Sequence, residues 1–274
     1  MSKIFRITVS HSILIWGVLL MIIPLWLVFA SSTHTNSFIY NEGMQWKIGG
    51  EFFENYNRVL NRKGGFTKEI TASGIFYNSF IMAFGIASLS VFVSMMAAYS
   101  LVYFKTRFST LFFWLIFITL LVPLELRILP SYQIVSDLNL LNSYAGLILP
   151  LSASAIATFF FRQYYRSIPE ELLEAAKLDG ANSWKFFIDF LVPLSKTMVA
   201  AMFIFMFVYG YNQYLWPLIM TTSEKYWTVV MGLKMIYGGN SVDRYTYVIL
   251  SLIPPVIIIV FLQRLFIQGL FQSK

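Results

Sequence analysis

An all-α, polytopic membrane bundle of six transmembrane helices is the fold class this sequence predicts, on two observations. The first is composition: 58% of the residues are hydrophobic and 12% charged, with a mean hydropathy of +0.68. Such a chain is too apolar to cover a soluble globule with polar surface. The second is distribution, because the apolar residues gather into six runs. Each is on the scale of the roughly 20 residues that a helix needs to cross a hydrocarbon core about 30 Å thick.

The first run covers 13–30. Lys3 and Arg6 precede it and Val28-Phe29-Ala30 closes it, which gives it the look of a secretion signal. It is longer than the roughly 7 to 15 apolar residues of a signal core, and further spans follow, so it reads as an uncleaved first helix. A long outer segment, 31–73, mixes charge with aromatics in Glu51-Phe52-Phe53-Glu54-Asn55-Tyr56. Two readings stand for it: an amphipathic element that touches a partner, or a helix lying on the protein's own surface.

The second run, 74–104, is longer than the core requires and must tilt or project into water. Small residues recur in it at helical spacing (Ala83 and Ala87, then Ser90, Ser94 and Ala98), as do Ala153 and Ala157 in the fourth run. That spacing lets helix backbones approach closely in lipid. The turn Lys105-Thr106-Arg107 leads to the third run, 108–129, and the fourth covers 144–161. The last two cover 198–220 and 245–267. Pro24, Pro123, Pro150, Pro217, Pro254 and Pro255 interrupt the runs, which suits bundles whose neighbours satisfy the freed carbonyls. Retained Lys and Arg, with the Lys105–Arg107 turn as the clearest marker, place both termini in the cytoplasm.

Cysteine is absent and the histidines are His11 and His34, so no disulfide framework, thiolate site, zinc or haem centre is expected. The formal charge of +7 fits cytoplasmic loops facing anionic membrane lipid rather than nucleic acid.

The polar stretch 162–196, between the fourth and fifth runs, is more than a connector. Pro169 suits a first helical turn, and Glu170 and Glu171 complement its positive end. Asp179-Gly180 ends that helix, since glycine takes the left-handed conformation without penalty. Asn182 or Ser183 then caps a second short helix holding Trp184, Phe186 and Phe187, which stops by Pro193. The product is a compact hairpin suited to a groove on another protein.

Here the sequence resembles a known family. Glu174-Ala175-Ala176, Gly180 and Phe190-Leu191-Val192-Pro193 look like the signature loop of permease subunits in bacterial ABC importers. Phe190 and Val192 replace the Ile and Leu common there, both apolar exchanges. The likeness runs from about Asn78 to Pro255. Leu129-Pro130-Ser131-Tyr132, the run from Tyr144 to Pro150 and Phe161-Arg162-Gln163-Tyr164 are similar to the carbohydrate-uptake, binding-protein-dependent branch. Leu124-Glu125-Leu126-Arg127 and the run from Gly210 to Pro217 most resemble permeases of glycerol-3-phosphate importers.

The resemblance implies that 1–274 is one transmembrane permease domain whose 162–196 loop is a coupling helix seated on an ATPase. The docking residues it implies are Glu174, Ala175, Ala176, Asp179, Gly180, Trp184 and Pro193. It further implies a second permease subunit, an ATPase homodimer and a periplasmic or extracellular substrate-binding protein, in a bacterial inner membrane. The chain has no G-x-x-x-x-G-K-[ST] loop, so ATP and Mg belong to the ATPase partner, and no cofactor or catalytic residue is expected here. The implied cargo is glycerol-3-phosphate or a glycerophosphodiester, with a neutral sugar as the alternative, moved by alternating access.

For the substrate path, Glu125 and Arg127 stand near the outer end of the third run. An ionisable group at bilayer depth is a functional candidate, but the pair equally suits interfacial contacts with neighbours or headgroups. Asn212, Gln213 and Tyr214, flanked by Tyr211 and Trp216, offer amides, hydroxyl and aromatic walls to a polyol. They suit interhelical hydrogen bonding as well. An ion-coupled secondary transporter would show internal repeats or buried acidic relays, and an intramembrane enzyme a nucleophile–base pair or a metal site. None of these is apparent in the sequence.

Overall fold

The computed structural model describes residues 3–64, 70–104, 106–235 and 240–271. Lys105, in the turn used for orientation, lies outside them. The chain opens with α1 (Lys3–Ser31), α2 (Asn36–Glu42) and α3 (Phe52–Asn61). A two-residue antiparallel ladder, β1 (Lys63–Gly64) with β2 (Ile70–Thr71), leads into α4 (Ala72–Tyr103). Then come α5 (Ser109–Ile118), α6 (Leu124–Asp137), α7 (Tyr144–Ile148), α8 (Ala155–Arg166), α9 (Glu170–Leu178) and α10 (Ser183–Lys185). The rest is α11 (Val192–Leu194), α12 (Lys196–Tyr211), α13 (Leu215–Met220), α14 (Val229–Met235) and α15 (Ser241–Phe271).

Among the described residues, three unbroken helices are long and apolar enough to cross a membrane: Ile7–Ser31, Ala72–Tyr103 and Ser241–Leu265. Three more stretches qualify as bent pairs, giving six crossings when each pair counts as one. Proline explains the first bend. The run read as 108–129 stops at Val122, because Pro123 has no N–H to donate, and resumes as α6 with Pro123 at its N-cap. The second pair, Tyr144–Leu151 with Ala155–Arg166, bends by 47°, and Ser154 Oγ restarts the helix by accepting from Ala157 N at 3.2 Å. In the third, Ser183–Leu194 meets Lys196–Tyr211 at 75°. That bend precedes the run read as 198–220, which is itself α12 and, after a break at 212–214, a separate α13.

The chain divides into two compact units. One comprises residues 1–76 and 232–253. In it the outer segment folds onto the end of α1, where Ser31, Ser32 and Thr33 are fully buried. Asn55 Nδ2 donates to the carbonyls of Ser32 and His34, both at 2.9 Å, and Tyr56 Oη shares a hydrogen bond with Ser32 Oγ at 3.0 Å. Asp243, at the start of α15, is buried and accepts from Arg58 at 2.9 Å and Arg62 at 2.5 Å. Thus α3 lies on the protein's own surface through Asn55, Tyr56 and Val59, while Phe53 on its other face is exposed.

The other unit comprises residues 77–231 and 254–274. The small residues Ala83, Ala87, Ser90, Ser94 and Ala98 of α4 are all fully buried there. Closeness is real at Gly210 of α12, where an added Cβ would meet Ala83 Cα at 3.2 Å. Ala157 is buried as its spacing predicts, but Ala153 is exposed because it falls in the break before α8. Asn78 Nδ2 donates to the carbonyls of Lys225 at 2.7 Å and Trp227 at 3.0 Å, and its Oδ1 accepts from Tyr144 Oη at 2.6 Å. A buried amide so fully satisfied pins the 225–227 loop.

Candidate functional site

Two features of the second unit can carry function: the hairpin after α8 and a cavity beside α6. The hairpin begins with Pro169 just outside α9 as its N-cap, with Glu170 and Glu171 in the first turn. At the far end Gly180 takes φ +76°. Its N–H donates to Lys177 O at 3.0 Å and that of Ala181 to Ala176 O at 2.9 Å, the paired bonds of a Schellman cap. Asn182, of the two capping candidates, accepts from Lys185 N at 2.8 Å and starts the second arm.

That arm corrects one expectation. The helix does not stop at Pro193 but runs on through α11 to Leu194. Between α10 and α11 the chain is a π-helix, Phe186–Leu191, closed by Val192 N–H donating to Phe187 O. Pro193 then falls in the first turn of α11, where a missing N–H breaks nothing.

The hairpin is rooted on one side and bare on the other. Ala176, Phe186, Phe187 and Leu191 are buried with Tyr99 of α4 and Phe161 and Tyr165 of α8. Tyrosine hydroxyls tie the root down: Tyr99 Oη donates to Ser183 O at 2.7 Å and Tyr164 Oη to Leu194 O at 2.6 Å. Facing away, Glu174, Ala175, Asp179, Gly180 and Pro193 are exposed. So are two large apolar side chains, Leu178 at 90% and Trp184 at 57%. Exposed Leu and Trp beside carboxylates, on a packed base, form an apolar and acidic knob of a kind that can seat in a protein groove.

The cavity, of about 300 Å³, is walled by α6, the α7–α8 break, α12 and α13. Arg127 contributes the guanidinium. Ser131, one turn further along α6, Thr119 and Tyr209 bring hydroxyls, and Trp216 an aromatic wall. The Trp216 indole N–H is engaged by Leu147 O at 3.1 Å, so its ring offers surface rather than a donor. One cation, several hydroxyls and an aromatic wall can hold a small anionic polyol, the guanidinium taking a phosphate through its two-donor edge.

Of the candidate path residues, Arg127 and Trp216 meet in this cavity. Glu125 sits exposed in the first turn of α6, where a carboxylate suits the helix N-terminus. Asn212 and Gln213 line a different, largely apolar hollow beside α15, and their amides donate back to their own helix, to Val208 O at 2.9 Å and Tyr209 O at 3.3 Å. Tyr211 is buried, stacked on Phe207 at 5.9 Å, and Tyr214 is half-buried at the α12–α13 joint. Sequence reasoning passed over Tyr209 and Thr119 as path residues, and Ser131 too, although its helical offset from Arg127 was a usable signal.

Hairpin and cavity both fall within residues 90–272, which match the family described as binding-protein-dependent transport system inner membrane component. The chain belongs to that family. Near-full-length relatives agree with this membership. It is 43% identical to the sn-glycerol-3-phosphate transport system permease protein UgpE of Yersinia pestis bv. Antiqua (strain Antiqua), over 96% of this chain and 95% of the relative. The protein of the same description from Escherichia coli (strain K12) is 42% identical over 97% of this chain and 96% of its own. A chain from the crystal structure of a bacterial ABC transporter involved in the import of the acidic polysaccharide alginate superposes with a TM-score of 0.76. It covers 96% of this permease and 98% of that chain at 21% identity, a likeness of fold.

Proposed function

We propose that this permease carries sn-glycerol-3-phosphate, or glycerophosphodiesters, across the inner membrane by alternating access. The observation that carries the reading is the 43% identity, over nearly the whole chain, to permeases described for that substrate. The cavity supports it, because Arg127 gives a phosphate ester a counter-charge that a neutral sugar would not need. Both termini lie in the cytoplasm. A second permease completes the path, an ATPase homodimer binds ATP and Mg and performs the hydrolysis, and an external binding protein delivers the substrate. This chain binds no cofactor of its own.

The hairpin is the link. Glu174, Ala175, Asp179 and Gly180 of the first arm and Trp184 of the second dock on the ATPase, while buried Ala176 and the foot at Pro193 transmit its movement to α8 and α12. Closure of the ATPases on ATP pushes the hairpin, and the path opens outward; hydrolysis resets it.

The test is ATP hydrolysis by the complex reconstituted with its binding protein, for wild type and Glu174→Lys. Stimulation by glycerol-3-phosphate that collapses in the variant is the expected result. Stimulation by a neutral sugar instead would replace the substrate and keep the mechanism. Uptake by this chain without an ATPase would remove both.

A further inference from the structure

At the hairpin end of α8, Arg162 and Arg166 border a cavity that neither the coupling nor the substrate path uses. We propose that this cavity is an anion site that holds the phosphodiester headgroup of an acidic lipid, bracing α9 against α8. The proposal is independent of the substrate reading.

The argument begins at Arg162. Its guanidinium lies over the ring of Phe113, 3.8 Å from the centroid. Stacking occupies the face of the group and fixes its plane, leaving the edge that forks onto an oxyanion. On that edge Nε is buried and without a hydrogen-bond partner. A buried donor on a charged group is costly to leave unmet, so an acceptor belongs there.

The described residues supply none. Among the described residues the ion pairs involve neither Arg162 nor Arg166. Arg166 instead sits one turn further along the same helix, adding a second positive charge. Both arginines line a hollow of about 320 Å³ together with Tyr103, Glu170 and Leu173. Tyr165, 1% exposed, lines it too.

The lining also selects the class of anion. Among the described lining residues Arg162 and Arg166 outnumber the Glu170 carboxylate, which favours an anionic headgroup. Leu101, Ile168 and Leu173 add apolar wall for the adjoining glycerol and acyl ester. Basic pockets of this kind between membrane helices take lipid headgroups. Because Glu170 and Leu173 belong to α9, an occupant touches the first arm of the hairpin directly.

The test uses the full chain purified in detergent, its unfolding temperature followed by tryptophan fluorescence during titration with phosphatidylglycerol, phosphatidylcholine or inorganic phosphate. Phosphatidylglycerol should raise the temperature saturably, with an apparent affinity about tenfold tighter than phosphatidylcholine, the worth of one charge-assisted hydrogen bond. Arg162→Gln should erase that preference, and Arg166→Gln, at an exposed position, should reduce it. If Arg162→Gln does not fold, Arg166→Gln decides the matter. Equal responses of wild type and variants to the two lipids would overturn the site. Protection by inorganic phosphate that Arg162→Gln abolishes, without any lipid preference, would keep the oxyanion site and overturn the lipid as its occupant.

Discussion

The hairpin and the Arg127 cavity are assembled in opposite ways. All of the hairpin's exposed chemistry comes from one short length of chain, and every turn of it is held by a local device: Asn182, the Gly180 cap, the α9 dipole. The cavity draws Arg127 and Ser131 from α6, Tyr209 from α12 and Trp216 from α13, so no local rule brings them together. A surface that must fit a partner can be made by a contiguous knob, whereas a path that must open and close is lined by elements able to part. Single substitutions should therefore act differently in the two places.

The largest effect is expected at the cap. Gly180→Leu puts a side chain at φ +76°, which costs about 1–2 kcal/mol for an L-residue and dislodges both cap bonds. Space is not the obstacle, since an added Cβ meets nothing within 4 Å. Uptake should fall by at least about tenfold while membrane fractionation shows normal insertion; undiminished uptake would break the view that the hairpin transmits force.

Arg127→Gln comes next. Losing a charge-assisted fork should lower uptake of labelled glycerol-3-phosphate about tenfold and leave hairpin-dependent ATPase binding unchanged. An equal loss of ATPase binding would show that the two regions are not separable by mutation.

Trp184→Ala and Leu178→Ser should reduce co-purification of the ATPase by several-fold. Both sites are exposed, so the unfolding temperature should stay put, as expected of surface changes worth within about 0.5 kcal/mol. The smallest effect is expected from Asn212→Ala, whose amide serves its own helix: uptake should change by less than about twofold. A tenfold loss there would return the fifth-span amides to the path.

How much of this was legible beforehand follows the same division. Gly180 and Asn182 were readable because a left-handed glycine and an N-cap are decided within one turn. The six apolar stretches were readable from length and composition, although the breaks at 122–123, 152–154 and 212–214 that divide three of them were not. Pro123 follows the end of the third run's first helical stretch at Val122 and stands at the N-cap of α6, whereas Pro254 and Pro255 pass inside α15 without ending it. Proline alone does not say which will happen. Tyr209 was invisible as a path residue because nothing in its own neighbourhood points to α6, and the chosen amides at 212 and 213 looked free only without their backbone partners.

The π-helical turn of the hairpin has a consequence of another kind, one of chain length. Phe186 and Leu191 are five residues apart and both buried in the root, a spacing that an α-helix would split between two faces. The segment therefore holds one residue more than a regular helix would need to make the same two anchors. Removing exposed Ile188 would set those anchors four apart, in register for an ordinary α-helix, so this turn is where the hairpin can shorten by a residue without losing its footing.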